Sequence, residues 1–411
     1  MDSPVALGSQ AAQRDRSLWR QRDFLLYSLG NAISYIGSWG QRIGIGWLSW
    51  ELTQSSTWVG CIALAQYLPL IVLSPFFGVL LDRQERRSYA LVVNGSAALL
   101  AAALYELTAR HWMNIQILLV FAILLGIVNS AYQAARLAMV NDLVKPERLG
   151  QAIAINSIVF NLTRALGPAV AGILIAHQGV AAAFGANALS FVAILGALSI
   201  IDLRVPTTRP ARKGLLVESR EGFAYAAAHP RLRGLLILAA ITAVLGRGGL
   251  ELLPAFSAMI FNRGSTGLAE LNTAAGVGAI TGAVILSRAG TGPLLATLTR
   301  YATLAVGIVL AAFGASSNYT AGLVIMAAFG LAMVLCSVGL QTLLQSTLED
   351  RYRGRVLGLW SAVNVAGPGV GAALLGALAQ PAGLSAVTVV SGLLCAGLVF
   401  SVIGRSRFAL G

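Results

Sequence analysis

Gly78-Val79-Leu80-Leu81-Asp82-Arg83-Gln84-Glu85-Arg86-Arg87 joins two long apolar runs, residues 58–81 and 88–109. Each run exceeds 18 residues, enough for a helix to cross a hydrocarbon core of roughly 30 Å. Between them the chain switches abruptly to charge. Runs of the same kind recur from one end of the chain to the other, at 24–50, 113–136, 149–176, 182–203, 234–261, 268–288, 293–316, 318–342, 354–379 and 384–404. A bilayer offers no water to satisfy backbone N–H and C=O groups, so lipid-spanning runs of this type are helices. The reading is therefore an all-α membrane protein with twelve transmembrane helices.

Composition agrees. Of 411 residues, 57% are hydrophobic and only 11% charged, far less charge than a soluble domain carries. The first 23 residues are polar and charged, which predicts no cleavable signal peptide. Cys61, Cys336 and Cys395 all fall in apolar runs and read as small core residues, not as a disulfide or metal set. His111, His177 and His229 form no metal cluster. No Walker loop is present, so direct ATP drive is not expected, and no cofactor is called for. The formal charge of +13 would suggest nucleic acid on a soluble protein. Here it sits in loops and reports topology.

With the N-terminus in the cytoplasm, 23 of the 29 Lys and Arg fall on the cytoplasmic side. Arg14, Arg16, Arg20 and Arg22 precede the first span, and Arg351, Arg353 and Arg355 follow the tenth. Only Arg110 and Arg263 lie outside. The bias predicts both termini inside, and an even span count agrees. The long polar stretch 204–233 carries seven Lys or Arg and reads as a cytoplasmic linker. It divides the chain into residues 1–203, an N-terminal six-helix bundle, and residues 234–411, a C-terminal one; a simple long loop is the alternative. The halves echo each other: Asn141-Asp142 and Glu349-Asp350 each follow an apolar span and precede a basic patch, and Leu149-Gly150 and Leu357-Gly358 open the next helices, 208 residues apart. Gly167-Pro168 and Gly367-Pro368 recur at an offset of 200. Such repeats suit a protein whose two bundles rock about a central site.

The opening stretch, with a glycine, then Asp-Arg, then a basic pair between spans two and three, resembles the signature loop of the major facilitator superfamily. The resemblance implies two six-helix bundles related by a pseudo-twofold axis. It also implies that Gly78, Asp82, Arg83 and Arg86 form an inner latch, with Asp142 at the inner end of span four as a partner. The physics fits: Gly78 lets a neighbouring helix come close, and arginines pair with carboxylates at helix ends. A basic loop that only sets orientation is the alternative. Span five carries Gly167-Pro168-Ala169-Val170-Ala171-Gly172, which resembles, in part, the proline kink of the superfamily's exporters. An ordinary membrane-helix bend is the other reading. Ile36-Gly37-Ser38-Trp39, Gly46-Trp47-Leu48-Ser49-Trp50-Glu51-Leu52-Thr53 and Leu253-Pro254-Ala255-Phe256 are similar to the branch containing enterobactin exporters and macrolide efflux pumps.

Charge inside the bilayer is costly unless paired or wet. Of the 16 acidic residues only Glu251 lies well within a span. Arg247, four residues earlier, shares its helix face. Arg42 lies 209 residues before Glu251, close to the repeat offset, so the two are expected at similar depth on opposed halves. Glu251, Arg42 and Arg247 are thus the coupling or gate candidates; neutralisation of Arg247 within its own helix is the alternative. Arg164 and Arg300 are either cavity residues or bond carbonyls of neighbouring helices. Trp39, Trp47, Trp50 and Trp58 read as an interfacial belt more readily than a substrate cage.

The resemblance implies a secondary transporter in a bacterial inner membrane, a monomer, exporting a small amphipathic compound of drug or siderophore type by proton antiport. Import of a small nutrient, lysophospholipid flipping and a membrane sensor without transport are the competing readings. A closed bundle with no cavity would favour the sensor.

Overall fold

The computed structural model describes residues 21–82, 84–145, 148–201, 215–290 and 292–405. They form thirteen helices: α1 (Arg22–Thr53), α2 (Ser56–Asp82), α3 (Arg86–Ala109), α4 (Ile115–Leu143), α5 (Leu149–Gln178), α6 (Val180–Ile200), α7 (Leu215–Ala228), α8 (Pro230–Ile260), α9 (Gly264–Ala289), α10 (Pro293–Ala315), α11 (Tyr319–Thr347), α12 (Asp350–Ala382) and α13 (Leu384–Arg405). Ten of these are both long and apolar enough to cross a bilayer. The helices α1 and α5 are as long, 32 and 30 residues, and α1 is the more polar of the two, carrying Gln41, Arg42 and Glu51. Only α7, 14 residues long, is too short to span.

Turn chemistry sets the breaks. Asn114 and Asn318 cap α4 and α11, their side chains accepting from Ile117 N at 2.9 Å and Ala321 N at 3.0 Å. Glu85 caps α3 through Ser88 N at 3.1 Å. Gly179 and Gly383, at φ 81° and 88°, turn the chain from α5 into α6 and from α12 into α13. A side chain would be strained at either, and their places in the two halves correspond.

The molecule is dressed for lipid. Val92, Leu99, Leu189 and Phe400 are all more than 65% exposed. Polar groups turn inward and find each other, as where Asn187 Nδ2 donates to Gln41 Oε1 at 2.8 Å. Within the first half α1 packs on α5 and α6, α2 on α4, and α3 on α6; within the second, α9 packs on α11 and α10 on α11 and α13. The halves meet mainly through α2 against α12 and α5 against α9. Three apolar clusters stay within one half, while a fourth joins Trp50 and Val59 to Leu252, Phe256 and Leu375.

Sequence reading and structure differ at three places. Hydropathy ends span four at 136, but α4 runs on to Leu143, so Arg136, the last residue of the expected span, lies two turns inside the helix. The segment 204–233 contains α7, which packs on α12. There Glu221 meets Arg355 at 2.6 Å and Tyr225 stacks on Tyr352 at 4.0 Å. Span seven is not a uniform helix. Gly248 N–H bonds the Ala243 carbonyl, five residues back, giving a wide π turn over Thr242–Arg247. A second follows at Phe256–Ile260. Between them Pro254 has no N–H to give the Leu250 carbonyl, and the chain tightens instead, with Glu251 N bonding Gly248 O at 3.3 Å.

Candidate functional site

Those irregular turns carry Arg247 and Glu251 into the middle of the molecule. Arg42 of α1 donates through Nη2 to Glu251 Oε1 at 2.7 Å. The Tyr67 hydroxyl of α2 donates to the same oxygen at 3.0 Å. The Arg42 guanidinium also lies over two rings, 4.5 Å from the centre of Tyr67 and 5.7 Å from that of Trp39, a favourable placement for a cation. The ion-paired side chains keep 29% and 22% of their exposure, so the pair faces an open space and is not sealed in protein.

That space is a cavity of about 660 Å³. Its wall is mostly apolar, from α1, α2, α5, α8, α9 and α11, with Arg42, Arg247, Glu251, Tyr67, Asn272, Ser287 and Ser337 supplying polar groups. It runs from the Arg42–Glu251 pair towards Ser287, near the end of α9 that shares a side with the start of α1. Beyond the pair, the opposite side is shut. The Ser56 hydroxyl donates to Gly376 O at 3.0 Å, and Ser55 to Gln380 at 3.1 Å. A Cβ on Gly60 would come within 2.2 Å of Ala372 O, and one on Gly172 within 1.8 Å of the Ala269 Cβ.

The other ends of the same helices stand apart. Gly78 lies eighteen residues after Gly60, about five turns at 3.6 residues per turn, and so on the same face of α2. A Cβ there would meet nothing within 4 Å. The same holds for Gly354 and Gly358 on α12 and Gly150 on α5. The two halves touch at one end and splay at the end carrying Arg22, Arg86 and Arg355.

Other expected site residues fall as follows. Arg86 pairs with Asp142, both nine-tenths buried, locking α3 to α4. Arg247 lines the cavity beside Glu251, while the carboxylate's ion pair crosses to Arg42 and does not stay within α8. Gly167 packs on Trp39 and Gly172 on α9; α5 continues as helix through Pro168. Arg300 is exposed near the start of α10 and takes no part in the cavity wall. Arg83, and the side chains of Asp82, Arg164 and Pro168, lie outside the described residues. The tryptophans do not form an interfacial belt as a group: Trp50 is 3% exposed and Trp39 lines the cavity. Amphipathic rings near a span end carry the belt signal whichever way they point, and only packing distinguishes them. Tyr67 was not singled out by sequence. A lone tyrosine in an apolar run gives no sign of the helix it faces.

A family model described as transmembrane secretion effector matches residues 17–410. The enterobactin exporter EntS of Shigella flexneri is 31% identical over 334 residues, covering 80% of this chain and 77% of that protein. EntS of Salmonella choleraesuis (strain SC-B67) is 30% identical over 335 residues, with the same coverage. Among solved structures, a POT family transporter in complex with 5-aminolevulinic acid has a TM-score of 0.74 at 12% identity, covering 96% of this chain and 98% of that one. The nucleoside transporter NupG gives 0.72 at 10%, covering 94% and 99%. At these identities the two structures are alike in fold alone.

Proposed function

The chain belongs to the transmembrane secretion effector family of the major facilitator superfamily and is a secondary transporter, and on that premise we propose that it exports a small amphipathic compound by proton antiport. The observation that carries the proposal is the Arg42–Glu251 pair at the closed end of a cavity that is open at the other. By the positive-inside rule the open end, where the basic loops lie, is cytoplasmic. Both termini are then cytoplasmic, in a bacterial inner membrane, and the conformation is the one that loads from inside.

The moving bodies are residues 1–203 and 234–411, joined by 204–233. In the inward-open state the pair ties α1 to α8. Opening the outer end must part these helices, and the pair with them. A carboxylate that loses its arginine loses the interaction that favours its charged form, so Glu251 takes up a proton from outside. When the helices close again Arg42 displaces that proton, which leaves through the cavity to the cytoplasm. Substrate travels the opposite way. Arg247, on the same wall, keeps the region cationic while Glu251 is neutral.

The largely apolar wall with a few charged groups supports an amphipathic substrate, and the similarity to EntS supports export of an enterobactin-like compound. A cavity of this size speaks against a sensor with a solid core. Everted membrane vesicles test the reading: labelled enterobactin and a panel of amphipathic drugs should accumulate when the lumen is acid, and collapse of the pH gradient should abolish accumulation. Accumulation that ignores the gradient would contradict antiport.

A further inference from the structure

The first half encloses a second polar cluster, built on a cation that the cycle above does not use. Arg136 lies on α4, seven residues or about 10 Å before the helix ends at Leu143. Around it stand Tyr132, one turn earlier, and Tyr35 and Asn31 of α1. Phe160 of α5 closes the ring of neighbours, its centre 5.5 Å from the guanidinium carbon. Tyr35 meets Tyr132 and Phe160 edge to face, with ring centres 6.1 Å and 5.5 Å apart.

The hydrogen bonds in this cluster do not close. The Tyr132 hydroxyl donates to Asn31 Oδ1 at 2.8 Å. That leaves Asn31 Nδ2, the Tyr35 hydroxyl and Arg136 Nε buried without a hydrogen-bond partner. Asn31 is 1% exposed and Tyr35 6%. Asn31 Nδ2 and Arg136 Nε are donors, while the Tyr35 hydroxyl can donate or accept; Tyr35 stands beside Arg136, and Tyr27 beside Asn31, without completing these bonds. Among the described residues no carboxylate lies within 4.0 Å of Arg136; Asp142, six residues on, is held by Arg86. A guanidinium between membrane helices demands a counter-charge or water, and buried donors without acceptors are costly.

The cluster adjoins the transport cavity. Phe160 lies 6.0 Å from Trp39, and Trp39 lines the cavity. A series of ring contacts therefore leads from Arg42 through Trp39, on the cavity wall, to Phe160 and Arg136 behind it. Flat rings beside convergent donors match an acidic group attached to an aromatic or otherwise flat apolar body.

We propose that Arg136, Tyr35 and Asn31 form a second subsite that receives the anionic group, a carboxylate or phenolate, of the transported amphiphile. This rests on the export reading for the identity of its occupant, but binding at the subsite needs no transport. The test is equilibrium binding of naphthoate and of its neutral analogue naphthamide to the full chain in phosphatidylcholine nanodiscs. A charge-assisted hydrogen bond is worth enough that wild type should prefer the acid by about tenfold or more. Arg136→Gln should bind the two alike, Arg136→Lys should keep part of the preference, and Tyr35→Phe should weaken naphthoate binding but not naphthamide binding. Because Tyr35→Phe removes one oxygen only, it serves should Arg136→Gln fail to fold. Equal binding of acid and amide by wild type, an undiminished preference in Arg136→Gln, or unweakened naphthoate binding in Tyr35→Phe would overturn the proposal. So would displacement of naphthoate by added phosphatidylglycerol, which would assign the cluster to a lipid headgroup. A protein that prefers the acid yet moves no compound would refute the export reading and leave the subsite standing.

Discussion

Gly60 and Gly78 sit on one face of α2, and the splay of the two halves gives them opposite roles. In the inward-open state a Cβ at Gly60 would lie 2.2 Å from Ala372 O and 2.7 Å from its carbonyl carbon. Ordinary contact begins near 3.4 Å, so Gly60→Ala must push α2 from α12 by about 1 Å or distort both backbones. Overpacking of this kind costs about 1–3 kcal/mol. The outward-open state, with its outer ends apart, escapes that cost. The outward-to-inward ratio should therefore rise by about five- to 150-fold, at a factor of ten per 1.4 kcal/mol. Ser56 provides the reporter: it is 6% exposed in the sealed interface. A Ser56→Cys substitution, in a background lacking Cys61, Cys336 and Cys395, should react with a bulky maleimide at a rate set by the outward-open population. Gly60→Ala should raise that rate by the factor above. Gly78→Leu should lower it, because Gly78 has free space only while the inner ends are apart. If Gly60→Ala leaves the labelling rate unchanged, α2 and α12 do not part at their outer ends, and the rocking account fails.

Three further outcomes follow from the charges. Arg42→Glu and Glu251→Arg should each abolish transport, and the double swap should restore part of it if the pair acts as a gate across α1 and α8; no restoration in a transport assay would confine the pair to a role that needs the carboxylate on α8. Arg86→Gln leaves Asp142 buried without its cation, a change that typically costs about 3–5 kcal/mol, so the variant should melt well below wild type in detergent, and an unchanged melting temperature would show the pair to be energetically idle. Asp82→Asn, at the end of α2, should express and melt like wild type but transport poorly, since its latch acts on closing the inner end; full transport would remove Asp82 from the mechanism.

Much of this architecture was legible in the sequence because the bilayer imposes a length and a polarity on each span. The central pair was legible for a different reason. Arg42 and Glu251 are separated by 209 residues, nearly the repeat offset, and equivalent positions near a pseudo-twofold axis come close to each other. Arg136 was missed because hydropathy follows side-chain polarity, whereas α4 continues on helix propensity and on the Arg86–Asp142 pair at its end. Tyr67 and Phe160 were missed because their roles depend on helix rotation in the bundle, which sequence periodicity fixes poorly in spans that are apolar all round. The breaks in α8 had a visible cause in Gly246, Gly248, Gly249 and Pro254, but glycine and proline alone do not say whether a helix kinks, widens or stops.

The central claim is that protonation of Glu251 is tied to opening of the outer end. Spin labels at His111 and Ser317, exposed on the outer turns of the two halves, report that opening by their separation in nanodiscs. Lowering the pH neutralises the carboxylate that holds Arg42, so the wild-type distance distribution should shift towards the longer, outward-open component as the pH falls. In Glu251→Gln the pair cannot form at any pH, and the distribution should sit at the longer component throughout. A pH-dependent shift of wild-type size in Glu251→Gln would contradict the account and place the proton-sensitive group elsewhere.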